Sequence, residues 1–341
     1  MKKKNTLQEI AQLAGVNPST VSRAMNPATA HMISPEKRKR IQAICKKYHY
    51  RPRLSARAMA TGKTYKVGLV LGAIEQDLSN PLFALFIRGL CGALQSQGYA
   101  LSILWAGHPD SSTDNETTAF LESNAADGYI LGSAMLGSLT REAARACGKP
   151  VVVLNTLQPG GIDPEFINLT RSCAEAYREA WQDIPPEYYL HVAFFGKNSP
   201  DSMRKFNEVC RFAPAKASCE TFLFDSNRGG FAFDLKNAEE FAEQHLSELK
   251  RFKVFFCASD LTALGLASAF QRIGYKVGRD IMLIGFDNIE ATFEGVNFPT
   301  IETPWEEAGR SAIQALFENL DMPKTAITIP FQCRYLSSSH S

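Results

Sequence analysis

The chain has 341 residues, of which 45% are hydrophobic, with 37 Lys and Arg against 35 Asp and Glu. This composition excludes a disordered polymer and predicts two or three globular domains. The sequence contains no run of about 18 apolar residues, and its N-terminus lacks the apolar core of a signal peptide. We therefore expect a cytoplasmic protein without a membrane partner.

The net charge of +2 conceals an uneven distribution of charge along the chain. Residues 1–66 contain 15 Lys and Arg but only 2 Asp and Glu, a net charge of +13. The remaining 275 residues hold 22 basic and 33 acidic side chains, a net charge of −11. A basic segment joined to an acidic body predicts a module that binds a polyanion, attached to a domain with a different task.

The eight cysteines are scattered, and the closest two, Cys210 and Cys219, are nine residues apart. Because no C-x-x-C motif is present, we interpret them as reduced thiols that are buried or idle. The six histidines form no metal-binding pattern, and the common nucleotide-binding and catalytic motifs are absent. The sequence therefore predicts no metal, no cofactor and no catalytic residue, with catalysis by an unfamiliar site as the alternative.

Residues 6–26 predict two short helices around a tight turn. Thr6 is a suitable cap for the first helix, and Gly15 permits the positive φ that the turn requires. Asn17 is a suitable cap for the second helix, and Pro18 suits its first position. Val21 then faces the first helix, so the segment predicts a helix-turn-helix. The alternative is an ordinary small surface helix.

The second helix carries hydroxyl, amide and guanidinium groups on or near the face opposite Val21. Short hydroxyls suit contacts to DNA phosphates, and an arginine can bind guanine through two hydrogen bonds in the major groove. The DNA-contact candidates in this region are Thr6, Asn17, Pro18, Ser19, Thr20, Ser22, Arg23 and Asn26. A third helix is predicted from residue 34. Its basic residues, at 37–40 and 46–47, are expected to lie partly near DNA phosphates, and the alternative is that they only form a solvent-exposed face.

Residues 50–62 contain no acidic residue and have helix-forming residues from 54 to 60. A helix of this length is not stable in isolation. The segment therefore predicts a hinge that becomes helical when it is pressed against DNA, with a flexible linker as the alternative.

From residue 65 onward, short apolar runs alternate with helical patterns. Strands are predicted at 66–72, 99–105, 128–131, 151–154, 190–195, 219–224, 254–257 and 281–286, and helices at 81–97, 237–249, 260–273 and 305–320. This alternation predicts an α/β body with two doubly wound parallel sheets, one in each of two lobes. Ligands of such folds bind at the carboxyl ends of the strands, in the cleft.

Several motifs together resemble the lactose/galactose repressor (LacI/GalR) family. They are TL-x-x-IA-x-LAGV-x-x-x-TVSRAMN, YRP-x-x-x-ARAM-x-TGKT, ADGYILG, KPVVVLN and FFCASDLTALG followed by IGFDN, and they extend over essentially the whole chain. The resemblance implies a homodimer that binds a pseudo-palindromic operator in double-stranded DNA with paired heads. It also implies hinge helices in the minor groove, where Met59 takes the position of a wedge that is commonly leucine. The hinge candidates are Arg53, Ser55, Arg57 and Met59.

The same resemblance implies the domain organisation. A small all-α helix-turn-helix head would occupy residues 1–50, and a hinge helix with its linker would occupy 51–63. An effector-binding and dimerisation domain, like a periplasmic binding protein, would occupy 64–341. Its N-lobe is expected at 64–160 and 302–321, and its C-lobe at 163–300 and 323–336. The chain would cross between the lobes near 160–163, 301–305 and 321–323.

Effector contacts are implied at positions that match the motifs of the family. The candidates are Leu82, Phe83, Asn155, Arg204, Ser259, Asp260, Asp287 and Trp305. Alternatives remain, because Ser259 and Asp260 sit where a helix cap belongs, Asp287 can be a turn residue and Trp305 can belong to the core. The chain also departs from the family pattern after the first crossing, where Thr170 and Arg171 replace a usual aspartate.

Together these features predict a sequence-specific DNA-binding transcriptional regulator, a repressor, controlled by a small molecule in the cleft. A sugar, a sugar phosphate or a polyol is expected, because carboxylate, amide and guanidinium groups bind hydroxyls and anions. One alternative is a regulator whose effector is a partner protein. Another is a ligand-independent architectural DNA binder.

Overall fold

The computed structural model describes residues 6–25, 29–50, 58, 61–71, 81–105, 114–123, 125–132, 138–154, 165–225, 233–289, 298–320 and 327–337. The chain divides into two compact units, Met1–Tyr65 and Lys66–Ser341. Within these ranges no helix is both long enough and apolar enough to cross a membrane.

The first unit is helical. Its described elements up to residue 50 are α1 (Leu7–Ala14), α2 (Pro18–Met25), a turn of 3-10 helix (Ala30–Met32) and α3 (Pro35–Lys47). Thr6 begins α1 with a capping box, because its hydroxyl accepts a hydrogen bond from the Glu9 N–H at 3.3 Å while the Glu9 carboxylate accepts one from the Thr6 N–H at 2.7 Å. Gly15 ends α1 with a φ of 61°. The predicted helix-turn-helix is confirmed.

The three helices enclose a small core. Its buried members are Ile10, Ala11, Ala14, Val21, Ala24, Ile41 and Cys45. Val21 lies between the helices as the spacing predicts, and it is fully buried. The Arg40 side chain donates a hydrogen bond of 2.9 Å to the carbonyl oxygen of Ala14, so α3 supplies a partner for the otherwise unpaired C-terminal end of α1.

The second unit alternates strands and helices. In chain order these are β1 (Lys66–Leu71), α4 (Pro81–Ser96), β2 (Ala100–Trp105), α5 (Asp114–Glu122), β3 (Gly128–Leu131), α6 (Ser138–Ala146), β4 (Val151–Leu154), β5 (Ile167–Ser172), α7 (Ala174–Gln182), β6 (Val192–Lys197), α8 (Pro200–Phe212), β7 (Cys219–Phe224), α9 (Asp234–Gln244), α10 (Leu246–Leu249), β8 (Val254–Cys257), α11 (Asp260–Arg272), β9 (Met282–Asp287), β10 (Thr300–Glu302), α12 (Trp305–Glu318), β11 (Ile327–Gln332) and β12 (Arg334–Leu336). A 3-10 turn, Pro186–Tyr188, precedes β6.

These strands form two sheets, one in each lobe. The first has the order β11-β5-β4-β3-β1-β2, and the second has the order β12-β10-β9-β8-β6-β7. All described pairings are parallel except that of β10 with β12, which is antiparallel. Every residue of β3, β4 and β8 is buried, as expected for parallel strands covered by helices on both faces. The predicted α/β body of two lobes is confirmed.

The crossings between the lobes differ from the prediction at two of three places. Strands β5 and β11 both lie in the first sheet, so the chain crosses at Cys173, at Thr303 and at Cys333. The crossings predicted near 160–163 and 321–323 were therefore wrong, and the one at 301–305 lies where it was expected. The sequence pattern missed β5 and β11 because both are only partly buried. Strand β11 also contains Pro330, and a proline in a sequence argues against a strand. The structure tolerates it because β11 lies at the edge of the sheet.

Two helices of the first lobe, α4 and α12, pack at unusually close range through glycines. A Cβ on Gly89 would lie 2.1 Å from the carbonyl oxygen of Glu306, and one on Gly309 would lie 2.3 Å from that of Phe86. No side chain fits at either position without separating the helices. The contact matters for the site, because α12 begins at Trp305 and α4 begins at Pro81, both at the cleft.

We expect Gly89→Ala to lower the free energy of unfolding by roughly 1–3 kcal/mol, because the added methyl group must push the two helices apart. Gly92→Ala, three residues along the same helix, is the matched control, since a Cβ there meets nothing within 4 Å. That control should be neutral or stabilising by up to about 1 kcal/mol. Thermal denaturation of both variants checks the expectation, and equal melting temperatures would contradict it.

Candidate functional site

The first unit presents the polar face of α2 to solvent. Val21 and Ala24 are buried, while Ser19, Ser22 and Arg23 are exposed. The helix thus directs a guanidinium and two hydroxyls away from the core, which is the arrangement that a recognition helix needs in the major groove. Thr6 and Asn17 are also exposed, and Pro18 and Thr20 are partly buried.

Some of these side chains have structural hydrogen bonds as well. The Asn17 side-chain oxygen accepts hydrogen bonds from the Ser19 N–H at 3.0 Å and from the Ser19 hydroxyl at 2.9 Å. Arg23 remains exposed on the same helix. Asn26, Arg53, Ser55, Arg57 and Met59 lie outside the described residues, as does Asn155 of the effector candidates.

The second unit contains an inter-lobe pocket of about 490 Å³, lined by the start of α4, the end of β9 and the crossing that leads into α12. Leu82, Asp287 and Trp305 all line it, so the structure brings three of the predicted effector residues together. Polar and apolar groups share its walls about equally, and the remaining charged side chains are Arg88, Glu302, Glu306, Glu307, Arg310 and Arg334. Phe83 is instead nearly buried in the core beneath α4.

Asp287 occupies a strained position at the end of β9. Its backbone has a φ of 92°, and the following Asn288 has a φ of 50°, values that non-glycine residues rarely adopt. The Thr303 hydroxyl donates a hydrogen bond of 3.1 Å to the Asp287 carboxylate. Strained backbone of this kind persists only where surrounding contacts hold it, and it concentrates at binding sites.

Trp305 lies at the start of α12, with Phe86 and Phe331 around its ring at centroid distances of 6.4 and 6.0 Å. Its indole N–H is buried, and no hydrogen-bond acceptor is found for it among the described residues. The ring packs against core residues, as the core alternative predicts, and Trp305 also lines the pocket, so its contact with an effector stays a prediction. A buried donor of this kind is costly unless some partner satisfies it.

Charged side chains meet beside Asp287 in a group that we call the Asp201 cluster: Arg171, Asp201, Arg204, Lys205 and Asp287. The Asp201 carboxylate lies 3.1 Å from Arg171, 2.6 Å from Arg204 and 3.0 Å from the Lys205 Nζ. The Lys205 Nζ also lies 3.8 Å from the Asp287 carboxylate. Burial alone would raise the pKa of Asp201, but Lys205, Arg171 and Arg204 outweigh it and hold that pKa well below its usual range.

Arg204 does not line the inter-lobe pocket. It lines a separate basic pocket of about 360 Å³ together with Arg171, Cys173, Arg178, Lys205 and Arg211. The walls of the two pockets touch, because Lys205 of the basic pocket contacts Asp287 of the inter-lobe pocket.

Arg171 is a site residue whose role the sequence pattern did not show, although its departure from the family pattern was the available signal. Its side chain is only 5% exposed, and its guanidinium lies 4.8 Å from the centroid of the Phe286 ring. Lys205 lies over the same ring at 3.9 Å. Two cations therefore stack on the aromatic residue that precedes Asp287, which stabilises their charge by cation–π attraction.

Ser259 and Asp260 both have structural roles, and Ser259 is the helix cap that the alternative interpretation predicts. The Ser259 hydroxyl accepts a hydrogen bond of 3.2 Å from the Thr262 N–H and begins α11. Asp260 is 4% exposed and accepts hydrogen bonds from the Thr300 hydroxyl at 2.6 Å and the Ile289 N–H at 2.7 Å. Neither residue lines either pocket. Asp260 instead fixes the segment that follows Asp287.

Comparisons with known proteins agree with this architecture. Residues 6–53 match the family described as bacterial regulatory proteins, lacI family, and residues 191–332 match the periplasmic binding protein-like domain. The HTH-type transcriptional regulator KdgR of Bacillus subtilis is 25% identical, with 96% of this chain and 95% of KdgR covered.

Two solved structures share the fold. A Lac repressor bound to ONPG in the repressed state has a TM-score of 0.79 at 17% identity, and the alignment covers 99% of this chain and all of that one. A complex of the regulator CelR with cellobiose has a TM-score of 0.65 at 18% identity, with the same coverage of both chains. At these identities the structures support the fold alone.

We expect Asp260 to make stability depend on pH, because burial raises its pKa from 3.8 to about 7. The folded protein then binds a proton more tightly than the unfolded chain, so Asp260 contributes stability at low pH that is lost as the pH rises toward 7. Relative to wild type, Asp260→Asn should gain stability by up to about 1.4 kcal/mol per pH unit between pH 5 and 7.

Chemical denaturation at several pH values measures this difference. Asp280→Asn is the matched control, because hydrogen bonds and charge from Arg279 lower the pKa of the partly exposed Asp280 to about 2. In that control, the free energy of unfolding should change with pH between 5 and 7 as it does in wild type. Parallel stability curves for wild type and Asp260→Asn would show that the buried carboxyl does not titrate in this range.

Proposed function

Because this chain belongs to the LacI family of bacterial regulatory proteins, we propose that it is a sequence-specific repressor of transcription that a small-molecule effector controls. KdgR is named as a transcriptional regulator, and two further relatives, PurR of Photobacterium profundum and the ribose operon repressor of Escherichia coli, are named as repressors. One observation carries the proposal: a helix-turn-helix with an exposed polar face shares a chain with a two-lobed body whose inter-lobe pocket is lined by charged and apolar side chains. The proposed location is the cytoplasm, and no cofactor is needed.

In the proposed complex, a homodimer places two α2 helices in successive major grooves of a pseudo-palindromic operator. Arg23 is exposed and can form two hydrogen bonds to a guanine, while Ser19 and Ser22 contact phosphates. The net charge of +13 on residues 1–66 supplies the attraction to DNA, which does not depend on sequence.

The hinge completes the operator contact in this proposal. Residues 51–63 would become helical in the minor groove, with Arg53, Ser55 and Arg57 near the backbone. Met59 would insert between base pairs, a role that methionine performs in other proteins that bend DNA. The hinge would therefore couple the body to the operator.

The proposed effector is a sugar, a sugar phosphate or a polyol bound between the lobes. Cellobiose and ONPG, the ligands named for two structural neighbours, are sugar compounds. Asp287 and Trp305 offer a carboxylate for hydroxyls and an aromatic edge for an apolar sugar face. Among the three classes, the sugar phosphate has additional support, because Arg171, Arg204 and Lys205 line the neighbouring basic pocket and Lys205 lies 3.8 Å from the Asp287 carboxylate.

The effector acts in this proposal by shifting a two-state equilibrium. Closure of the lobes around the ligand would change the geometry at the start of the body and so decide whether the hinges fold on the operator. A ligand shifts the equilibrium only by its difference in affinity for the two states, typically about 1–3 kcal/mol. Whether the effector releases or recruits DNA depends on which state it prefers.

We expect Arg23→Ala to reduce operator discrimination by about 1–3 kcal/mol, because the wrong base is no longer penalised. Competition binding between operator and unrelated DNA measures this ratio. Lys39→Ala is the matched control, since Lys39 is an exposed cation on α3. It should weaken binding to both DNAs equally. An unchanged ratio for Arg23→Ala would remove this residue from base recognition.

We expect Asp287→Asn to weaken effector binding roughly 10- to 100-fold, because a hydrogen bond to a charged group contributes about 1.5–3 kcal/mol. Asparagine is chosen because it tolerates a positive φ better than alanine does. A thermal-shift screen of sugars, sugar phosphates and polyols identifies the ligand, and its titration compares the variant with Asp280→Asn as control. A normal response in Asp287→Asn would place the effector elsewhere.

The same assays separate the two alternative functions. An architectural DNA binder would show no preference for one operator and no ligand in the screen. A regulator with a partner protein as effector would bind its operator specifically, and its affinity would change only when that protein is added.

A further inference from the structure

Two cysteines meet where the chain crosses between the lobes. Cys173 follows β5 and Cys333 follows β11, and the parallel pairing of these strands places Ser172 opposite Gln332. The Cys333 N–H donates a hydrogen bond of 2.8 Å to the Ser172 carbonyl oxygen. The two Sγ atoms lie 2.8 Å apart although the residues are 160 positions apart in sequence. The thiols therefore sit side by side at two of the three crossings.

The two thiols differ in accessibility. Cys173 is partly exposed and lines the basic pocket, so it is the thiol of the pair that lies nearer to solvent. Cys333 is only 6% exposed and lies behind it. This arrangement gives one sulfur that an oxidant can attack and a second that can attack the first.

The surroundings of Cys173 favour a thiolate. A hydrogen bond from Cys333 lowers the pKa of Cys173, and although burial opposes the shift, the charges of Arg171, Lys205 and Arg204 add to it. The thiolate is the nucleophilic form of cysteine, and cationic surroundings are the usual mark of a reactive one. Cys333 keeps its proton, because its hydrogen bond to Cys173 and its burial raise its pKa.

We propose that Cys173 and Cys333 form a reversible disulfide across the lobe crossings when the protein meets a hydroperoxide. The Cys173 thiolate attacks one peroxide oxygen, the O–O bond breaks, and the leaving alkoxide or hydroxide takes a proton from water. Cys173 is then a sulfenic acid. The Cys333 sulfur attacks it, the S–S bond forms, and the sulfenic oxygen leaves as water with the Cys333 proton. Two electrons pass from the thiols to the peroxide.

The disulfide would restrain the lobes beside the effector site. The third crossing is close, because the Thr303 hydroxyl lies 3.9 Å from the Cys333 sulfur and hydrogen-bonds to Asp287. A covalent bond between two crossings fixes their separation and closes a loop of 160 residues. Cross-links that close long loops stabilise the folded chain by constraining the unfolded one. Disulfides of this kind in a reducing compartment are transient and serve redox sensing.

A second cysteine pair provides an internal comparison. Cys210 and Cys219 also hydrogen-bond to each other, but burial raises the pKa of both thiols. This pair therefore shares proximity with Cys173 and Cys333 but lacks a stabilised thiolate. It should react more slowly with the same oxidant, by about tenfold or more, because a raised pKa reduces the thiolate fraction about tenfold per unit.

The test treats the full-length protein with hydrogen peroxide at pH 7, blocks remaining thiols with N-ethylmaleimide, and maps cross-linked peptides by mass spectrometry. We expect a peptide joining Cys173 to Cys333, which dithiothreitol reverses, and a higher melting temperature of the oxidised protein. Cys173→Ser should abolish the cross-link. Cys333→Ser should leave a sulfenic acid on Cys173, which dimedone traps. Cys210→Ser should change nothing.

Two results would overturn the proposal. One is that only Cys210 and Cys219 are oxidised, or that they are oxidised as fast as Cys173 and Cys333. The other is a Cys173 that dimedone does not label in Cys333→Ser. Thermal melting of each variant under reducing conditions confirms that it is folded before oxidation. An unchanged melting temperature after complete cross-linking would show that the bond does not restrain the lobes.

Discussion

The carboxylate of Asp201 holds together the parts of the second unit that matter for binding. It joins Arg171, near the carboxyl end of β5, to Arg204 and Lys205 on α8, and Lys205 in turn contacts Asp287. Arg171 and Lys205 are almost fully buried, so their charges are compensated by neighbouring groups and not by water. Removal of one partner from a buried ion pair costs about 3–5 kcal/mol, because an uncompensated charge remains. Fold and site therefore depend on one interaction.

The strained end of β9 is stable because its neighbours hold it on both sides. Thr303 binds the Asp287 side chain, and Asp260 binds the backbone of Ile289 beyond it. Gly285 makes this possible, since a Cβ there would lie 2.0 Å from the Asp260 carboxylate. The contacts that form on folding thus offset the conformational strain of the unfavourable φ values. As a result, Asp287 lines the pocket before any ligand binds.

Local patterns predicted the helix-turn-helix, the buried strands and the position of Asp287, because each depends on spacing within a few residues. They missed β5 and β11, whose partial burial hides any periodicity, and they therefore misplaced two crossings. The structural role of Asp260 also required its distant partners, Thr300 and Ile289. Similarly, the sequence indicated only isolated thiols, because Cys173 and Cys333 are far apart in the chain and only the fold brings them together.

The brevity of the crossings limits how the lobes can move. Only Cys173 separates β5 from α7, and only Cys333 separates β11 from β12. Single-residue connections leave too little chain for one lobe to slide along the other, so relative motion is a rotation about an axis through the crossings. Displacement then grows with distance from that axis. Groups near Thr303 therefore move little, while groups at the far rim of the cleft move most. A ligand that contacts both lobes at that rim has the largest effect on the angle between them.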